Sequence, residues 1–142
     1  MSELAFASAT DLATKIKNRE ISCVELLQYY LDRVDRYNGE LNAIVVDIRE
    51  QALADARAAD AALVNGSAIG PLHGVPMTIK ESYNLSGTPT TWGNPDWQDN
   101  VPSEDAQSVR KMKEAGVIVF GKTNVPLMLA DFQSYNDVYG TT

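Results

Sequence analysis

Gly70-Pro71-Leu72-His73-Gly74-Val75-Pro76-Met77-Thr78-Ile79-Lys80-Glu81 carries a short apolar strand over 75–80 that stops at a cation. Gly116-Val117-Ile118-Val119-Phe120-Gly121-Lys122-Thr123 carries a second, β-branched at 117–119. Between them the pattern predicts a helix over 104–115, capped by Ser103 and ended by Gly116. Strand, helix, strand, with the helix just long enough to cross, predicts a parallel pair in an α/β sheet.

Working outward, Ser8 and Asp11 open a short helix with Leu12, Ala13 and Ile16. Ser22 and Glu25 form a capping box, and Val24, Leu27, Leu31 and Val34 follow at helical spacing. Asn38-Gly39 is expected to end that helix after Tyr37. Ala43-Ile44-Val45-Val46 reads as a strand. The alanine-rich stretch 49–64 reads as a helix closed by Asn65-Gly66-Ser67. Residues 82–101, with Trp92 and Trp97, form a long loop of the kind that is usually functional or poorly ordered. The predicted class is α/β. A helical start over 1–40 leads, over 41–142, into βαβ units of a mixed, mainly parallel sheet flanked by helices in α/β/α layers.

Composition narrows the partners. Nineteen acidic against twelve basic residues give a net charge of −7, which argues against nucleic acid or an anionic membrane surface. The apolar fraction of 44% is ordinary for a soluble globular domain. Cys23 is the only cysteine, so no internal disulfide can form, and a cytoplasmic setting is expected. In a helical pattern it reads as an inert, half-buried thiol. Met1-Ser2-Glu3-Leu4 shows no signal peptide, and no segment approaches a membrane span. The triplets Asn65-Gly66-Ser67 and Asn84-Leu85-Ser86 read as chance glycosylation matches without a secretory signal.

Lys80 is the first candidate for chemistry. A lysine at the end of a buried strand is costly to desolvate unless it is paired or neutral, so its surroundings can tune it toward a base. The plainer reading is a lysine that snorkels to solvent.

Residues 116–123 also match the phosphate-loop pattern, glycine, four residues, then Gly-Lys-Thr. A phosphate cradle needs a compact loop, whereas Val-Ile-Val-Phe favours the strand itself. Extended, those four residues carry Gly116 roughly 13 Å from Gly121. The aspartate of Val45-Val46-Asp47 also precedes the motif instead of following it. His73, the only histidine, lies in a Gly/Pro loop and reads as structural, and no Gly-x-Ser-x-Gly elbow exists. Asp47, Asp131 and Asp137 are too scattered for a carboxylate pair, and no metal cluster is visible.

Four segments in order resemble the amidase signature family. They are Gly70-Pro71-Leu72-His73-Gly74-Val75-Pro76 running into Ile79-Lys80-Glu81; Gly87-Thr88-Pro89-Thr90-Thr91; Asp105-Ala106 with Ala115 through Pro126; and Tyr135-Asn136 with Tyr139-Gly140-Thr141-Thr142. The resemblance runs from end to end and makes 1–142 the N-terminal portion of a single amidase-signature domain. It implies amide-bond hydrolysis by a Ser–cis-Ser–Lys device, an acyl transfer in which Lys80, neutral, is the general base. It places Met128, Leu129 and Ala130 on the substrate wall, where a plain core role is equally open. Gly121 to Asn124 would turn the chain from strand into that wall. Leu127 and Met128 depart from the family's usual glutamate and phenylalanine there. Glu81 replaces a commoner aspartate and keeps its charge. The family's two serines and oxyanion-hole segment lie beyond Tyr-Gly-Thr-Thr, and Ser82, Ser86, Ser103 and Ser134 match neither. The chain alone is therefore expected to be inactive. The implied partners are a small amide substrate and a serine-bearing C-terminal segment or second chain. No metal or organic cofactor is implied. Three readings stand: part of an amidase, a non-catalytic binding or scaffold module that keeps the fold start, and a nucleotide binder at 116–123.

Overall fold

The computed structural model describes residues 4–67 and 69–142, so the reading of Met1, Ser2 and Glu3 lies outside the described residues. Helices α1 (Ala9–Lys17) and α2 (Cys23–Leu41) come first, followed by strand β1 (Ile44–Asp47) and helix α3 (Arg49–Val64). Strand β2 (Pro76–Lys80), helix α4 (Gln107–Glu114) and strand β3 (Ile118–Thr123) form the crossover unit. A hairpin of β4 (Tyr135–Asn136) and β5 (Gly140–Thr141) completes the chain.

β3 is the central strand of a three-stranded sheet, parallel to β2 and antiparallel to β1. The mixed α/β class and the parallel crossover are as the sequence predicts. The sheet separates two apolar clusters. Ile118, Phe120 and Val75 pack on Leu12, Ile16, Leu26, Leu27 and Leu31 from α1 and α2, and on Ala52 and Ala56 from α3. Val117, Val119 and Ile79 pack on Val109 and Leu85 on the other side. Each fully buried leucine or isoleucine contributes roughly 1.5–3 kcal/mol.

The caps read from sequence at Ser8 and Ser22 form as expected. Ser8 accepts from the Asp11 N–H at 3.1 Å, and Ser22 and Glu25 close a reciprocal capping box. Asp60 of α3 adds a second anchor to α2, accepting from the Cys23 N–H at 2.7 Å and the Val24 N–H at 3.2 Å. A carboxylate there also meets the positive end of the helix dipole.

Three boundaries differ from expectation. α2 runs past Asn38-Gly39 to Leu41, because Asn42 supplies the left-handed cap at φ 49°. The Asn38 side chain instead bonds the start of β1, accepting from the Ala43 and Ile44 N–H groups and donating to the Ile44 carbonyl. α4 starts at Gln107 instead of 104. Ser103 does not cap it; Ser86 donates to the Ser103 carbonyl, Asp105 accepts from the Ser86 N–H, and the Ala106 N–H bonds the Asn84 carbonyl. Those ties hold 103–106 against the loop and out of helical geometry. β3 continues through Gly121, Lys122 and Thr123, so the turn expected at Gly121 comes only after Thr123.

Two glycines fix how the 70–74 segment threads between α2 and α4. Gly116, at φ +97°, would place a Cβ 2.6 Å from the His73 Cα. Gly74, at φ +77°, would place one 2.3 Å from the Cys23 Sγ. Between them the Leu72 N–H bonds the Ala115 carbonyl and the Gly74 N–H bonds the Gly116 carbonyl, each at 2.8 Å. His73 is structural in this packing, its Nε2 3.0 Å from the Ala59 carbonyl. Among the described residues, no helix is long and apolar enough to cross a membrane.

Gly74→Ala is expected to cost at least about 1–3 kcal/mol from the left-handed backbone alone, plus the overlap with Cys23. In a Cys23→Ala background the added penalty should shrink, which a double-mutant cycle by urea denaturation measures.

Candidate functional site

The ends of β2 and β3 gather the ionisable groups. The parallel register sets Ile79 level with Lys122, and Lys80 level with Thr123. Side chains alternate along a strand, so Lys122 leaves the sheet on the face of Ile79 and Lys80 on the opposite one. Glu81 follows, its N–H bonded to the Thr123 carbonyl at 2.9 Å. Of these three charges, Glu81 and Lys122 are fully buried and Lys80 is exposed.

Lys80 opens onto a cleft of about 460 Å³ that it shares with Ser82, Tyr83, Asn84, Trp92, Ala106 and Leu129. Among the described residues no hydrogen bond or ion pair engages its amine. The buried environment expected for Lys80 is therefore not supplied by these residues; burial falls on Lys122 instead, because register puts it on the packed face.

Glu81 has no access to solvent, and protein donors satisfy its carboxylate. Oε1 accepts from the Thr91 N–H at 2.6 Å and from the Tyr139 hydroxyl at 3.0 Å. Oε2 accepts from the Trp92 N–H at 3.0 Å. Lys122 donates to the Thr90 hydroxyl at 2.8 Å and to the Pro89 carbonyl. Burial pulls the Lys122 ammonium down to about 8, against the attraction of Glu81, which acts the other way. Burial likewise pushes the Tyr139 phenol up to about 12, with the Glu81 carboxylate adding to the effect. Two buried charged side chains thus hold four consecutive loop residues, 89–92.

The backbone around the cleft is strained. Trp92, Met128 and Leu129 sit at φ 55°, 53° and 60°, a region costly for residues with side chains. The Met128 N–H donates to the Trp92 carbonyl at 2.8 Å, joining two of the strained positions directly. Beyond them Asn124 and Asn136 organise the hairpin. Asn136 donates to the Asn124 Oδ1 and to the Val125 carbonyl, while its own Oδ1 accepts from the Val138 and Tyr139 N–H groups. Asn124 donates to the Gly140 carbonyl and to the Thr142 hydroxyl. Asn42 holds the hairpin's other side through the Tyr139 and Thr141 carbonyls.

Of the expected wall residues, Leu129 lines the Lys80 cleft. Met128 and Ala130 belong to the same turn but lie outside the lining. Residues 118–123 form a strand and Lys122 spends its donors on the Pro89 carbonyl and the Thr90 hydroxyl, so 116–123 makes no phosphate cradle. Sequence reasoning missed the burial of Glu81 and Lys122, and the part of Trp92 and Tyr139. One signal was available: adjacent charges at a strand end, Lys80 and Glu81, must point to opposite faces, so one of them meets the interior.

The family model named Amidase matches residues 25–142. An indoleacetamide hydrolase of Bradyrhizobium diazoefficiens is 42% identical over 95% of this chain, which spans 26% of that protein. An acylamidase of Rhodococcus erythropolis is 37% identical over 98% of the chain, which spans 29% of it. Among solved structures, a fatty acid amide hydrolase superposes on 99% of the chain with a TM-score of 0.93 at 27% identity, and the match covers 25% of that structure. The chain thus spans little more than a quarter of the length of these relatives.

The buried lysine gives a signed dependence on pH. Its folded value of about 8 lies below its ordinary 10.5, so between those limits the unfolded chain holds a proton that the folded chain lacks. Stability therefore rises with pH across that window, by up to about 1.4 kcal/mol per pH unit from this group. Urea denaturation of wild type and Lys122→Met from pH 7 to 10 should show this rise only in the wild type. Cys23 and Tyr139, each pushed up to about 12, act with the opposite sign but are common to both proteins.

Proposed function

The chain belongs to the amidase family, and on that premise we propose that it supplies the general base, Lys80, of an amide-bond hydrolase. The supporting observation is the contrast among the three charges at the strand ends. Glu81 and Lys122 are buried and committed to internal partners, while Lys80 faces the open cleft with its amine unengaged among the described residues.

The reaction we propose is acyl transfer by a Ser–cis-Ser–Lys device. Neutral Lys80 accepts a proton from a bridging serine, which in turn takes the proton of the nucleophilic serine. That serine adds to the amide carbonyl, and the tetrahedral intermediate expels the amine, which takes a proton back from Lys80 through the bridge. Water then cleaves the acyl-serine ester by the same route in reverse. Both serines and the oxyanion hole come from a segment outside these residues, on the same or a second chain, so this stretch by itself is inactive. Docking that segment over the cleft would also exclude water from around Lys80. Leu127, Met128, Phe132 and Tyr135, exposed in and after the turn that carries Leu129, give it apolar surface to bury.

Leu129, with Tyr83 and Trp92, forms one wall for an apolar acyl or amine group. Met128 and Ala130 flank Leu129 in the same exposed turn, beside that wall. The substrate class is a small amide, in keeping with the hydrolase named among the relatives. A cytoplasmic setting fits this reading, with the sole cysteine kept as a buried thiol. The non-catalytic alternative keeps the same fold and gives Lys80 no role.

The test assays hydrolysis of aryl and aliphatic primary amides, indoleacetamide among them, by this protein joined with a serine-bearing amidase segment. Lys80→Ala should lower kcat/KM by at least about 10²-fold with the fold intact by circular dichroism. Undiminished hydrolysis in Lys80→Ala would remove the lysine from the mechanism, and turnover by the 142 residues alone would contradict the need for a second segment.

A further inference from the structure

We infer that Glu81 and Lys122 are positioning residues that clamp loop residues 89–92 from inside the sheet and, through the Trp92 carbonyl, hold the Met128–Leu129 turn whose Leu129 lines the Lys80 cleft. The inference concerns the geometry of the wall; only its consequence for hydrolysis rests on the proposed function.

The connections run in one direct line. The Glu81 carboxylate takes the N–H groups of Thr91 and Trp92, two successive amides that must point the same way to reach it. The backbone of Thr91, which lies between the two amides, meets that demand; Trp92, its N–H fixed by Glu81, sits at φ 55°, a conformation a tryptophan does not choose unaided. The rotated peptide turns the Trp92 carbonyl toward the Met128 N–H, 2.8 Å away. Met128 and Leu129 then occupy their own left-handed positions, and Leu129 faces the cleft. Lys122 secures the preceding two residues through the Pro89 carbonyl and the Thr90 hydroxyl. The Thr90 backbone is braced from outside as well, its N–H bonded to the Asn100 carbonyl and its carbonyl accepting from the Asn100 amide.

Burying two charges is costly, and apolar residues of similar volume would pack this strand end as well. Their use here is explained by what they hold: four consecutive loop positions whose polar groups cannot reach strand partners. Hydrogen bonds to charged acceptors are the strong ones, and one of them holds Trp92 in the left-handed region from which its carbonyl reaches Met128. The geometry also separates two roles that adjoin in sequence. Lys80 addresses the cleft from the front, and Glu81 sets the shape of the cleft from behind.

Native-state amide hydrogen exchange by NMR tests this on the protein itself. In Glu81→Gln the amide side chain presents a donor where a carboxylate oxygen accepted, so one of the Thr91 and Trp92 bonds must fail. Exchange at Thr91 and Trp92 should quicken by about tenfold or more. The deciding residue is Met128, which makes no bond to Glu81: its exchange should quicken with theirs, while Ile118 and Val119 in the central strand stay protected. Adding Trp92→Gly, which adopts the left-handed backbone without strain, should restore much of the Met128 protection. If Met128 stays protected when Thr91 and Trp92 do not, the relay is wrong.

Should Glu81→Gln not fold, exchange of the wild type in low urea decides the matter. Thr91, Trp92 and Met128 should then open as one unit with a shared dependence on urea, and independent opening of Met128 overturns the inference. In the hydrolase assay the same variant should raise KM and change the preference between bulky and small amides, leaving the pH profile of kcat in place. Loss of kcat alone, equal for every amide, would reject the positioning role. Absence of any Lys80-dependent hydrolysis would instead count against the proposed function and leave the exchange result to stand by itself.

Discussion

Glu81 and Lys122 are buried side chains of opposite charge, and much of the surrounding packing follows from that burial. A carboxylate and an ammonium without solvent must find all their partners inside the protein. They find them in one segment, residues 89–92, and in Tyr139 of the C-terminal hairpin. Loop and hairpin are therefore not loosely attached coverings of the sheet. Each supplies donors or acceptors that the sheet's own charges require, and neither could move far without stranding a buried ion.

The same logic explains where strain is tolerated. Trp92, Met128 and Leu129 occupy left-handed backbone beside one cleft, and two of the three are linked by a hydrogen bond. At Gly74 and Gly116 the chain uses glycine for such positions, because a Cβ would strike Cys23 or His73. Beside the cleft the chain uses a tryptophan, a methionine and a leucine for such backbone, as it uses Asn42 at the end of α2.

The central strand gives the chain its two-sided architecture. β3 sends Ile118 and Phe120 to the helices α1 to α3, and Val119, with Val117 just before it, toward α4. Its last residues then carry a buried lysine, and its parallel neighbour β2 ends in an exposed one. Relatives several times longer share this arrangement of elements, and the fatty acid amide hydrolase superposes on nearly all of it.

Elements with local signals are legible without coordinates. The capping residues Ser8, Ser22 and Glu25, the alanine-rich helix Arg49–Val64, and the βαβ pattern around Gly116 are read from spacing and propensity, because neighbours in the chain enforce them. Four ordered segments are enough to point to the family. Long-range packing settles what remains. α2 continues through Gly39 because Asn42 and the hairpin cap it, and α4 starts late because Ser86 and Asn84 hold residues 103–106. Above all, register selects which of two lysines is buried. Lys80 and Lys122 look alike in sequence, each near the end of an apolar run. Which one faces the interior depends on how β2 and β3 align and on which face the 82–101 loop covers, and those are contacts between distant segments that no local pattern encodes.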